Sequence, residues 1–137
     1  YQLPTEAQWE YACRSGSAEP YSGGKLDDVA WHMDNSDEAP HKVAGKKPNA
    51  WGLYDMHGNA AEWCRDLYQR DLGPAQAGDP AGPAEGNARV VRGGSWGHFA
   101  RACRSAARAS FNPAYPLEWI GLRVIIEPES PNPSSNP

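Results

Sequence analysis

Apolar residues in this chain come in short bursts, and turn-forming residues interrupt them at nearly every step. Helical patterning is confined to one place. Thr5 stands as an N-cap with Gln8 at the capping-box position and Pro4 just ahead of it, which predicts one short helix over Glu6 to Arg14. Further on, the strand candidates are Arg89 to Arg92, Arg104 to Ser110 and Ile120 to Ile126. Gly-Asp-Pro, Gly-Pro and Glu-Gly between Gly73 and Asn87 predict a long surface loop, and Glu127 to Pro137 reads as a mobile Pro/Ser/Asn tail. The pattern predicts one α+β, loop-rich domain over residues 1–126, with a short N-terminal helix and several short strands, followed by the tail at 127–137.

Composition changes that picture in one respect. The 14 Gly and 13 Pro would suit a disordered chain, but six Trp and six Tyr supply rings large enough to pin irregular loops in place. At 137 residues the chain can bury a real core without help from a metal or disulfides. The formal charge of −4 comes from scattered residues of both signs, so no basic stripe exists to neutralise a phosphate backbone, and nucleic acid is not an expected partner. No apolar run approaches the roughly 20 residues of a membrane span, so no membrane role is expected.

Two stretches carry candidate chemistry. In Asp55-Met56-His57-Gly58-Asn59-Ala60-Ala61-Glu62 two carboxylates seven residues apart bracket Gly58 and Asn59, a pattern that suits an oxygen-ligated cation. The plain alternative is that Asp55 caps a turn and Glu62 pairs with a nearby Arg. His57 is expected to be a packed or solvent-facing side chain rather than a ligand, because imidazole is a poor partner for calcium. Further on, Gly93-Gly94 before Ser95-Trp96 marks a backbone held close to something. Ser95 with His98 lacks an orienting acid and a nucleophile-elbow pattern, and Gly93-Gly94 opens no helix, so neither a hydrolase nor a phosphate loop is indicated.

Four blocks in order resemble the formylglycine-generating enzyme, or sulfatase-modifying factor, superfamily. They are Leu3-Pro4-Thr5-Glu6-Ala7-Gln8-Trp9-Glu10-Tyr11-Ala12; Lys47 to Asn59 with Glu62-Trp63; Arg89-Val90-Val91-Arg92-Gly93-Gly94-Ser95-Trp96; and Gly121-Leu122-Arg123-Val124. The resemblance implies a formylglycine-generating-enzyme-like variant of the C-type lectin fold, with antiparallel strands. It also implies a further N-terminal half ahead of the first block, so the chain reads as a fragment, a minimal version or part of a longer protein with other domains. A structural calcium ion is implied at Asp55 and Glu62, through their side chains, and at Gly58 and Ala60, through their carbonyls. A second family calcium site reads as lost, because Trp31 stands near the place of its Asn ligand and the loop Asp34 to Glu38 is short.

Catalytic members of that family bind copper through two cysteines shortly after the Gly-Gly-Ser block, since soft thiolates hold Cu(I). Here Gly97 occupies the first position and the run Gly97 to Ala102 offers no second thiol, so neither copper nor formylglycine generation is expected and no catalytic residue is assigned. Cys103 falls where the family tends to place a structural cysteine. The resemblance favours a Cys13–Cys103 disulfide that leaves Cys64 free, against the alternative of three reduced, buried thiols.

Two functions follow. In one, the domain is a non-catalytic, calcium-stabilised module that binds a protein or glycan ligand through Ser95, Trp96, His98, Phe99, Phe111, Tyr115 and Trp119. A narrower form likens Gly97 to Val124 to the variable region of diversity-generating-retroelement proteins, with His98, Phe99, Ala102, Ala107, Ala109, Ser110, Phe111, Ala114, Tyr115 and Leu117 as adaptable positions. In the other, the domain belongs to an oxygen-dependent oxidase or modifying enzyme whose site is completed by a missing half or partner and uses Ser95, Trp96, His98 and Cys103.

Overall fold

The computed structural model describes residues 1–73 and 82–127, so the tail expected at 127–137 lies almost wholly outside the described residues, as does much of the loop expected from Gly73 to Asn87. Helix α1 spans Glu6–Arg14, as the sequence predicts. Thr5 Oγ1 accepts from the Gln8 amide at 3.1 Å while Gln8 Oε1 accepts from the Thr5 amide at 2.9 Å, which satisfies two backbone donors at the helix start. At the other end Ser15 turns left-handed, with φ 45°, and its amide closes onto the Tyr11 carbonyl. Trp9 and Cys13, four residues apart on one face, join Met56, Cys64 and Val90 in the core.

The remaining elements are α2 (Leu26–Val29), β1 (Ala30–Trp31), β2 (His57–Gly58), β3 (Ala61–Leu67), β4 (Arg89–Arg92), β5 (Ala109–Phe111) and β6 (Ile120–Leu122), with a 3-10 turn at Ala100–Cys103. The main sheet has the order β5-β4-β3-β6, and β1 pairs with β2 in a separate ribbon. Antiparallel pairing joins β3 to β4 and β4 to β5, but β3 runs parallel to β6 and β1 parallel to β2. The expectation of antiparallel strands alone is therefore corrected. The segment between Asn112 and Trp119 carries the chain back across the sheet, so that β6 enters beside β3 in the same direction.

Other expectations need adjustment. The interior strand β3 lies where no strand was expected: its inward positions are Glu62, Cys64 and Asp66, a set that does not read as a strand face. Of Arg104 to Ser110 only the last two residues enter β5, because the carbonyls of Ser105 and Ala107 turn toward the Arg92 guanidinium, at 2.8 and 2.6 Å, instead of a strand partner. Arg92 itself is fully buried and also pairs with Glu10 and, at 3.4 Å, with Glu6. Arg108 clamps Glu6 through two bonds of 2.5 and 2.7 Å, so α1 is fixed to β4 and to the approach to β5 by charge as well as by packing.

Candidate functional site

Two separate regions gather the residues singled out from sequence. The first lies between β2 and β6. Gly58 has φ +72°, and a Cβ there would stand 2.0 Å from the Trp31 carbonyl oxygen, so only glycine lets β2 lie against β1. Asp55, also left-handed at φ 56°, accepts the Ala44 amide on Oδ2 at 2.7 Å. Asp55, Asn59, Ala60 and Glu62 line one cavity of about 490 Å³, together with Tyr54, Leu122 and Arg123. Gly58 is not among its lining residues.

These donors are hard oxygens of the kind calcium takes, and in that respect three of the four expected residues fit the ion. Glu62, however, is already engaged. Its Oε2 accepts from the Trp9 indole at 2.7 Å and from Arg123 Nε at 2.9 Å, and its Oε1 accepts from Arg123 Nη2 at 2.8 Å. Three donors leave one of the four lone-pair positions of the carboxylate uncommitted. Arg123 stands in the last of the four sequence blocks, but nothing in the spacing links it to a carboxylate sixty-one residues earlier; the parallel β3–β6 pairing makes that link.

The second region is the face beyond β4 and β5. His98, Trp119 and Phe111 meet there: Trp119 makes edge contacts with His98 at 4.7 Å and with Phe111 at 4.9 Å between ring centres. Beneath them lies a small cavity of about 60 Å³, walled by Ala61, Gly93, Ala102, Ala107 and Ala109 among others. Ser95, fully buried, accepts the Gly97 amide at 3.3 Å and stands 2.6 Å from His98 Nδ1, so its hydroxyl hydrogen can be donated to that nitrogen. The proton of neutral His98 is then on Nε2, which has no hydrogen-bond partner among the described residues. Burial pushes the His98 pKa down, which keeps the ring neutral.

The other expected ligand residues are distributed differently. Phe99 and Tyr115 are 56% and 68% exposed and could touch a partner. Trp96 has its backbone tied to Asn59 and Ser36, and its indole nitrogen is buried without a partner. It braces the two regions rather than joining the ring cluster.

The expected Cys13–Cys103 disulfide is not formed: Cys13, Cys64 and Cys103 are free, buried thiols. The imidazole of His57 is wedged against both intended partners, with Nε2 3.8 Å from Cys13 Sγ and Nδ1 donating to the Cys103 carbonyl at 2.7 Å. The Ser22 amide donates to Nε2 at 2.9 Å, which fixes the tautomer and makes His57 the packed one of the two roles left open by the sequence. Burial raises the pKa of all three thiols, that of Cys103 to about 12, so none is a thiolate at neutral pH. Among the described residues no three His, Cys, Asp or Glu side chains gather as a metal-holding group.

Comparison with known proteins places this architecture. The chain is 38% identical over 127 residues to the serine/threonine-protein kinase pkn1 of Chlamydia caviae, covering 89% of this chain and 20% of that protein. It is 36% identical to the formylglycine-generating enzyme of Streptomyces coelicolor, covering 89% of this chain and 45% of the enzyme. Among solved structures, Treponema denticola variable protein 1 superimposes with a TM-score of 0.82 at 40% identity, over 88% of this chain and 45% of that one. The chain thus spans a fifth of the kinase and less than half of the other two. Residues 1–128 match the sulfatase-modifying factor enzyme 1-like domain, and the chain belongs to that family.

Proposed function

We propose that this domain is a non-catalytic recognition module of C-type-lectin-like architecture, which binds a protein or glycan ligand on the face formed by His98, Phe99, Phe111, Tyr115 and Trp119. The observation that carries the reading is the state of the chemistry beside that face. Gly97 offers no side chain, and the nearest thiol, Cys103, is fully buried and held protonated, with its Sγ 2.7 Å from where a Cβ on Gly94 would stand. A soft-metal site needs accessible thiolates, and this region presents rings and alanines instead. Ser95 acts on the face indirectly, by orienting His98 so that Nε2–H is available as a donor.

A structural calcium ion completes the proposal. Asp55 and Glu62 would supply carboxylate oxygens and Ala60 a carbonyl from the cavity lining, with the Gly58 carbonyl as the fourth expected ligand outside that lining, and the ion would fix a loop that few ladder bonds hold. The narrower reading, that residues 97–124 form a retroelement-diversified surface, draws support from the likeness to a variable protein and from the small and aromatic side chains at the expected adaptable positions. A neighbouring template repeat with adenines at those codons, together with a reverse transcriptase gene, would support it; their absence would remove it.

The test of the main reading is an anaerobic Cu(I) titration beside a peptide and glycan array. Array ligands lost on substitution of Phe99 or Tyr115, with no stoichiometric copper uptake, support recognition. Tight copper binding that disappears in Cys103→Ser would instead favour the second reading, an oxidase or modifying enzyme completed by another half or partner.

A further inference from the structure

We infer that Arg123 is a built-in counter-cation for the Asp55/Glu62 site, holding Glu62 when calcium is absent and competing with calcium for it. The inference rests on the proposed calcium reading and adds a residue that the expected ligand set does not contain. Three observations carry it. Arg123 makes a two-point clamp on Glu62, at 2.9 and 2.8 Å, in the bidentate geometry that suits guanidinium and carboxylate. Glu62 is 6% exposed, so its charge needs a partner at all times. Arg123, Glu62 and Asp55 all line the same cavity, so a cation placed between the two carboxylates would sit close to the guanidinium.

The consequence follows from charge. A calcium ion approaching Glu62 meets a positive group already bonded to both of its oxygens, and must either share the carboxylate or displace the arginine. Sharing would use the one position left on Glu62 Oε1, which accepts a single donor. Repulsion between the cations weakens binding in both cases, and by reciprocity calcium loosens Arg123. Arg123 also donates to the Tyr54 carbonyl at 2.8 Å, next to Asp55, so in the absence of calcium it ties the residue after β6 to the start of the cation loop. The site is thereby tuned toward weaker calcium binding than two unpaired carboxylates would give.

Calorimetric titration of calcium into the 137-residue chain, backed by thermal melts with and without chelator, tests this for the wild type, Arg123→Gln, Arg123→Lys, and Arg123→Gln combined with Glu62→Gln. Arg123→Gln should bind calcium roughly 10-fold more tightly than the wild type, the size of a typical coupling between two sites. Arg123→Lys, which keeps the charge, should stay near the wild type, and the double variant should lose binding. Equal or weaker affinity in Arg123→Gln, in a chain whose near-ultraviolet circular dichroism is native, overturns the competition while leaving the calcium reading intact. If Arg123→Gln does not fold, wild-type affinity insensitive to Arg123→Met and Arg123→Lys alike overturns it in the same way. Absence of calcium binding in every variant overturns both.

Discussion

Around α1 the interior is assembled from charges: Arg92 on Glu6 and Glu10, Arg108 on Glu6, and Glu62 between Trp9 and Arg123. The face above β4 and β5 is assembled from alanines, glycines and three touching rings, with Ser95–His98 as its polar link. In the first region each buried group depends on a specific partner, because an unpaired charge away from water is far costlier than a lost contact. In the second, side chains at the rim hold little of the fold in place. One half of the sheet is therefore intolerant of substitution, and the other can change its surface without losing its frame.

That contrast can be broken by experiment, beginning where the effect should be greatest. Arg92→Ala leaves Glu10 and part of Glu6 without their buried cation and should cost about 3–5 kcal/mol in urea denaturation. A cost below 1 kcal/mol would mean that the charged interior is less rigid than its geometry implies. Gly58→Ala forces a side chain into the left-handed region against the Trp31 carbonyl and should cost roughly 2–3 kcal/mol, read from the same denaturation curves.

The effect of pH sharpens the comparison. Burial lowers the His57 pKa below its ordinary 6.5, so the unfolded chain takes up the proton more readily than the folded one. The stability contributed by neutral His57 is complete above about pH 6.5 and is lost as pH falls through that value toward the lowered one. His57→Gln should flatten the acid limb of a stability-against-pH curve, leaving the contribution of His98, whose pKa burial also pushes down.

Among the exposed rings, Phe99→Ser and Tyr115→Ser should change stability by no more than ~0.5 kcal/mol while abolishing the proposed ligand capture. Losses as large as that of Arg92→Ala would remove the distinction between the regions.

Much of the frame was legible in the amino-acid order. Thr5 and Gln8 announced α1 with its capping box, because capping depends on residues three positions apart. Arg89 to Arg92 form β4, and the turn glycines of the two key loops stand at positive φ as their sequence implied. β3 was hidden, since Glu62 and Asp66 point inward and only their remote partners, Trp9, Arg123 and the Glu6 amide, make that possible. The surroundings of the thiols were hidden for the same reason, as the pairing of β2 with β1 sets His57 against Cys13 Sγ and the Cys103 carbonyl.

The sequence by itself determined the family, the helix with its caps, the tight glycine turns and a glycine rather than a thiol beside Trp96, all of which are written in neighbouring residues. Tertiary structure decided which carboxylates are neutralised and by whom, which strands run parallel, and which of the expected ligand residues share a surface. The division has one physical cause: turns and caps are settled over a few residues, whereas a buried charge is tolerable only beside a partner that chain folding brings in from far away.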